Sequence, residues 1–197
     1  MAVTIRCIGR VRNRFHLVRS NHTDRTETYV RRNAPALYPA AWLQYPQVMG
    51  FDRATPLVGL HDPSCDAGLP ITWEPCGFVF AKGWVLFHGD EGALSRLPAV
   101  TAVNLAKKVG ANVVCGHTHR AGIGHFTTGH SGKITSRLVG MEVGHLMDMA
   151  KADYLKTGGA EWQQAFGVVR IRKGKVFPEV VMIHDGAFCV NGIVYRV

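Results

Sequence analysis

The chain has 197 residues, 47% of them hydrophobic, and a formal charge of +9. That is enough to bury a core, and it fits one domain spanning 1–197. No apolar run approaches membrane-spanning length, and Met1 to Arg14 alternates apolar residues with arginine instead of building the apolar stretch of a signal peptide.

The five cysteines (Cys7, Cys65, Cys76, Cys115, Cys189) are odd in number, scattered and free of CxxC pairs. This pattern argues against a disulfide framework and a thiolate zinc site, and the expected setting is a reducing cytoplasm. Charge is uneven: the first 32 residues hold eight arginines against Asp24 and Glu27, so +6 of the +9 lies there. Such a segment suits phosphate-rich partners, nucleotides or nucleic acids included. No aromatic side chains interleave with those arginines to stack on bases, so a solvated arginine-rich surface is the competing reading.

In chain order, Phe15-His16-Leu17-Val18 reads as a short strand that runs into the polar turn Ser20-Asn21-His22-Thr23-Asp24-Arg25. Glu27 to Arg32 has helical character, cut short by Pro35 and Pro39. The stretch from Pro46 to Pro75 is rich in Pro, Gly and Asp and reads as irregular, with one or two short helices expected around Ala40 to Gln44. Gly77 to Phe80 and Trp84 to His88 alternate about Lys82-Gly83 and predict a hairpin, which leaves His88 at a strand exit.

Leu97 to Val109 repeats apolar residues at helical spacing and stops at Gly110. Ala111 to Cys115 follows as a buried strand opening into Gly116-His117-Thr118-His119-Arg120. This strand, helix, strand unit puts histidines at the C-terminal end of both strands, the edge where open α/β sheets bind ligands. Beyond Ile134 the pattern predicts a helix at Leu146 to Leu155. Strands punctuated by Lys173-Gly174-Lys175, Asp185-Gly186 and Asn191-Gly192 then form a C-terminal β-meander.

His117 and His119, one residue apart in a glycine-led loop, can turn both imidazoles toward one region. Alone, a His-x-His is more often a polar surface loop than a metal site. Here His88 leaves a second strand and Asn21-His22 occupies a third strand-to-loop turn. Imidazole with amide or carboxylate oxygen suits Zn, Mn or Fe. Two such ions about 3.5–4 Å apart activate water and clamp both oxygens of an in-line displacement at phosphorus.

Ser20-Asn21-His22-Thr23-Asp24-Arg25, Phe87-His88-Gly89-Asp90 and Cys115-Gly116-His117-Thr118-His119-Arg120 resemble, in order and spacing, the last three motifs of calcineurin-like metallophosphoesterases. Gly140-Met141-Glu142-Val143-Gly144, Tyr154 to Gly158 and Trp162-Gln163-Gln164 look like phage-type and prophage-type members. The resemblance implies an α/β fold, a metallophosphoesterase-like layered sandwich, N-terminally incomplete in this chain. It also implies hydrolysis of phosphate monoesters or diesters by a metal-bound hydroxide, with one or two divalent ions. Asn21, His88 and His117 would hold one ion and His119 the other. His22 would be the acid near the leaving oxygen, and Asn21 and Arg25 would contact the substrate phosphate.

The family's first two motifs, Asp-x-His and Gly-Asp-x-x-Asp, have no counterpart among the nineteen residues before Ser20, none of which is Asp or Glu. Ser20 also stands where the family has Gly, and Thr23 where it has an acid. Asp24, Asp62, Asp66, Asp90, His16, His61 and His125 are conceivable substitutes that nothing in the sequence selects among. The expectation is therefore a phosphoesterase completed by an upstream segment, a complementing polypeptide or a homo-oligomer. The alternative is a non-catalytic metal- or nucleic-acid-binding remnant of the same fold.

Overall fold

The computed structural model describes residues 15–22, 24–37, 71–74, 77–149 and 161–197. The chain divides into two compact units, Met1–Cys76 and Gly77–Val197.

In the first unit, strand β1 (Phe15–Val18) pairs in parallel with β2 (Ile71–Glu74). The second strand corrects the expectation of an irregular stretch up to Pro75. Four residues set among Pro and Gly carry too little alternation to announce a strand, and the pairing with β1 supplies what local pattern lacks. His16 Nδ1 and Glu74 Oε1 meet at 2.9 Å across that pair. The polar turn then leads into helix α1 (Arg25–Asn33), with Arg31 and Arg32 in its last turn, followed by a 3₁₀ turn at Pro35–Leu37. The short helices expected around Ala40 to Gln44 lie outside the described residues.

The second unit is a mixed α/β arrangement with a sheet core. Strands β3 (Phe78–Ala81), β4 (Trp84–Phe87), β5 (Asn112–Cys115), β6 (Ala121–His130) and β7 (Lys133–Val143) form one five-stranded sheet in the order β3-β4-β5-β7-β6. The β3–β4 hairpin is the one its alternating pattern predicts. The pairs β4–β5 and β5–β7 are parallel, whereas β3 and β6 flank them antiparallel. Three adjacent strands thus end at the same edge.

Helix α2 (Val100–Val109) covers one face and ends at left-handed Gly110. Its Ala102, Leu105 and Ala106 pack on Val113 and Cys115, with Phe87 and Leu138 at the margin. The helix lies so close to β7 that a Cβ at Gly140 would stand 2.3 Å from the Val103 nitrogen. Asn112 ties β5 to the β3–β4 turn and to β7, donating from Nδ2 to the Gly83 carbonyl and accepting the Val139 N–H on Oδ1. The opposite face carries Trp84, Val114 and Met141. Against them pack residues of the hairpin β8 (Ala165–Arg172) and β9 (Lys175–Met182), namely Val169, Val176 and Val180.

The short pair β10 (Ala187–Val190) and β11 (Ile193–Arg196) completes the expected C-terminal meander. Ser131-Gly132, Lys173-Gly174, Asp185-Gly186 and Asn191-Gly192 all have positive φ at both positions. That is the two-residue hairpin turn whose twist matches the flanking strands, and Gly at its second position relieves the strain.

The helix expected at Leu146 to Leu155 is corrected at its start, because Leu146–Asp148 are not helical and Met149 begins a 3₁₀ turn; 150–160 lie outside the described residues. The backbone there is committed to tertiary partners. His145 bridges Gln164, the Met147 N–H donates to His145 Nδ1, and the Met147 carbonyl accepts from Gln164 Nε2. Among the described residues no helix is long and apolar enough to cross a membrane.

Candidate metal centre at the C-terminal edge of the sheet

The three parallel strands release histidines side by side. Phe87, Cys115 and Val143 are the last residues of β4, β5 and β7, and His88, the His117–His119 loop and His145 follow them. The β4–β5 ladder runs one step past the strands, since the Gly116 N–H donates to the His88 carbonyl at 2.8 Å. Gly89 then turns with φ +121°, and a Cβ there would stand 2.8 Å from the Gly116 carbonyl oxygen. Only glycine lets the two strand exits pass this closely, and the result sets His88 beside His117.

His117 Nδ1 lies 3.1 Å from His88 Nε2, with the rings edge to face at 4.9 Å between centroids. Two nitrogens bound to one tetrahedral ion at about 2.0–2.1 Å stand roughly 3.3 Å apart. The pair therefore fits one edge of a coordination polyhedron, and neutral imidazoles suit a borderline divalent ion. The same distance also accommodates a hydrogen bond between a protonated and an unprotonated nitrogen.

His117 and His119 both occupy the left-handed region, at φ +65° and +58°. Such positions cost about 1–3 kcal/mol each outside glycine and persist only where the surroundings over-determine them. A buried carboxylate does much of that here. Glu142 is fully buried; it accepts the Thr118 hydroxyl at 3.2 Å and the Ala99 and Ala102 N–H groups at 3.1 and 3.2 Å. Ala99, the N-cap of α2, has no side chain with which to cap, so Glu142 reaches across from β7 and caps the helix where its dipole favours a negative charge. One group therefore fixes both the helix N-terminus and the residue between the two histidines.

The loop's other side is tied to the returning segment. The Gln163 N–H donates to the His119 carbonyl at 3.0 Å and the Ala121 N–H to Gln163 Oε1 at 3.0 Å. Arg120 Nη2 donates to Glu161 Oε2 at 2.8 Å, and this guanidinium, ahead of the more distant Arg96, holds the Glu161 carboxyl below its usual range. Trp162 meets the His119 ring edge to face at 4.1 Å, and His145 completes the cluster 5.7 Å from His119. Burial holds the His145 imidazole below its ordinary value, and because Nδ1 accepts the Met147 N–H, its proton resides on Nε2.

Of the residues singled out from sequence, His88 and His117 stand together, and His119 turns to the Trp162 side of the same edge. Asn21, His22 and Arg25 belong to the first unit, where all three are exposed on the turn and opening of α1. The Asp24 N–H donates to the Ser20 carbonyl at 3.2 Å, and Ser20 is not among the residues with positive φ, so this turn makes no demand for glycine at that position. Of the conceivable substitute ligands, His16 is engaged with Glu74 and Asp24 with Arg19. Among the described residues no group of three His, Cys, Asp or Glu is gathered as a metal cluster.

Sequence reasoning gave no site role to Glu142, His145 or Trp162, although Glu142 and Trp162 lie in segments quoted for the family likeness. Glu142 and His145 left signals of such a role: a lone carboxylate inside the apolar run Leu138 to Val143, and a histidine directly after a glycine at a strand end. Trp162 left none.

A histidine-bearing C-terminal edge on a mixed sheet is thus the chain's defining feature. In sequence, the chain is 36% identical over 180 residues to the Gene 54 protein of Mycobacterium phage D29 and 34% identical over 180 residues to the Gene 54 protein of Mycobacterium phage L5. Each match covers 90% of this chain, and the chain spans 64% of each relative's length. No family model matches, and no solved structure matches.

Proposed function

We propose that this chain carries the histidine half of a phage-type metal-dependent phosphoesterase that cleaves phosphate monoesters or diesters. The observation that supports this most is the 3.1 Å approach of His117 Nδ1 to His88 Nε2 at the edge where three parallel strands end. His88 and His117 would hold one divalent ion, Mn, Zn or Fe. His119, braced by Trp162, would belong to a second ion. A divalent ion at such an edge polarises a phosphoryl oxygen and acidifies water.

The chain's own residues do the rest. By the family resemblance alone, Asn21 and Arg25 of the first unit would contact a substrate phosphate, and His22 would hold a proton for a leaving oxygen. Glu142, through Thr118, keeps the His-x-His loop in its strained conformation. The layered metallophosphoesterase-like sandwich belongs to the same proposal. More than a third of each mycobacteriophage relative lies outside the match, which leaves room there for a segment bearing the missing carboxylate ligands.

Calorimetric titration of the chain with Mn or Zn tests the reading, together with hydrolysis of bis-p-nitrophenyl phosphate. About one ion per chain is expected, with at least a tenfold loss of affinity in His117→Ala and in His88→Ala. Turnover is expected on adding a segment that supplies the Asp-x-His and Gly-Asp-x-x-Asp motifs. Equal affinity in wild type and both variants would refute the site. One ion with no turnover in the completed protein would instead identify the non-catalytic remnant.

A further inference from the structure

Among the described residues, the end of the second unit opposite the histidines is a basic surface built from two hairpin tips whose turns and flanking residues carry no Asp or Glu. Strand β6 starts at the histidine edge, where the Ala121 N–H meets Gln163, and runs away from it to the turn Ser131-Gly132. Strand β8 starts at the same edge, where the Ala165 N–H meets the His145 carbonyl, and runs to the turn Lys173-Gly174. A Cβ at Gly167 would stand 2.7 Å from Val143, near the site end of β7, whereas Val176 lies further along the same hairpin and packs in the cluster with Ile123 and Val139. Both hairpins therefore point the same way, and at about 3.3 Å per residue their tips lie roughly 25–30 Å from the histidines.

Lys133, Arg137, Arg172, Lys173 and Lys175 are exposed there, and among the described residues none of the five forms an ion pair. No Asp or Glu occurs between Ala121 and Met141 or between Ala165 and Pro178. The register sets Arg172 directly opposite Lys175, with Lys173 in the turn between them, and His130 opposite Lys133. Like charges facing each other across a strand pair destabilise it, so the sequence keeps an arrangement that works against the hairpin unless an anion occupies it.

We propose that these two tips form a binding surface for duplex nucleic acid, engaged through its phosphates. A rigid polyanion with one charge per about 1.7 Å of axis can meet both tips at once, and a two-stranded ribbon fits the roughly 12 Å major groove. Each tip is polar at its apex, Ser131-Gly132 and Lys173-Gly174, while the exposed apolar side chains Ile134, Ile171 and Phe177 stand two to three residues behind the turns, so binding to a lipid surface is the outcome the test separates. The surface does not depend on the metal reading.

The test is fluorescence anisotropy of the full chain with a labelled 30-base-pair duplex in EDTA between 50 and 300 mM salt. The variant Arg172→Gln/Lys173→Gln/Lys175→Gln is compared with Arg31→Gln/Arg32→Gln on α1. The tip variant is expected to bind 10- to 100-fold more weakly at low salt. Its slope of log affinity against log salt should fall by about 2 to 3, at roughly 0.9 for each phosphate no longer neutralised, with an unchanged or higher melting temperature. An unaltered slope in the tip variant, an equal loss in the α1 variant, or binding to anionic vesicles without binding to duplex would each overturn the proposal. Since metal is excluded throughout, either result leaves the phosphoesterase test untouched.

Discussion

Substituting Glu142 by Gln perturbs the one group that joins helix, strand and loop. Oε2 takes two donors, the Ala99 N–H and the Thr118 hydroxyl, while Oε1 takes the Ala102 N–H. The better amide rotamer keeps its oxygen at the Oε2 position and points its NH₂ at the Ala102 N–H, so one bond is lost and two donors face each other. An orphaned buried donor costs about 1–3 kcal/mol, and each retained bond weakens by about 1 kcal/mol when its acceptor loses its charge. Relief of carboxylate desolvation offsets part of this, which leaves an expected loss of about 2–4 kcal/mol. Thr118→Val removes the hydroxyl that donates to Glu142 and accepts the Arg120 N–H at 3.3 Å, and should cost about 1–3 kcal/mol. The double variant should fall short of the sum, because the two side chains share one hydrogen bond. Urea unfolding followed by circular dichroism at pH 7 measures all three. A Glu142→Gln midpoint within about 0.5 kcal/mol of wild type at unchanged slope would show that the carboxylate anchors nothing.

Two further perturbations probe the same scaffold. Gly140→Ala places a methyl 2.3 Å from the Val103 nitrogen and 2.4 Å from the Ala102 carbonyl carbon, so α2 must lift from β7. A loss of about 3 kcal/mol or more is expected, within the range of overpacked cores, and a variant unfolding at the wild-type urea midpoint would contradict this packing. Burial, with the charges of Glu142 and Glu91 nearby, pushes the Cys115 thiol well above its ordinary range. A raised folded pKa stabilises fully below the unfolded value, near 8.5, and that contribution disappears as pH climbs above it. Wild type should therefore lose up to about 1.4 kcal/mol more than Cys115→Ala for each pH unit above 8.5; parallel curves from pH 8 to 10 would exclude the effect.

What the sequence disclosed and what it hid follow from how far each signal reaches. The hairpin turns at Lys173-Gly174, Asp185-Gly186 and Asn191-Gly192 were legible because a two-residue turn with positive φ is a local demand that Lys-Gly, Asp-Gly and Asn-Gly satisfy. Ser131-Gly132 makes the same turn, yet its flanks, Thr127 to His130 and Lys133 to Arg137, are exposed on both sides and so carry no apolar alternation. The strand, helix, strand unit placing His88 near His117 was legible from period and from Gly110. What brings His145 to the same edge is the parallel pairing of β7 with β5, a nonlocal register that no window of sequence contains. The helix predicted from Leu146 fails for the same reason: Met147 is held by His145 and Gln164, 2 and 17 residues away.

The strain at His117 and His119 bears on how the edge is used. Two left-handed histidines around Thr118 would relax in an isolated loop, where only the bonds from the Thr118 N–H to the Gly116 carbonyl and from the Arg120 N–H to Thr118 Oγ1 offset about 1–3 kcal/mol apiece. Here the loop is held from both sides. Glu142 takes the Thr118 hydroxyl below, while Gln163 and Arg120 tie the exit to the segment carrying Trp162. Those bonds come from β7 and from residues 161–164, distinct in sequence from the loop, so the fold of the second unit sets the His-x-His geometry before any ligand arrives. An edge preorganised in this way spends little binding energy on ordering itself. That is the physical reason to look for an ion or a phosphate at His88 and His117 before looking anywhere else on this sheet.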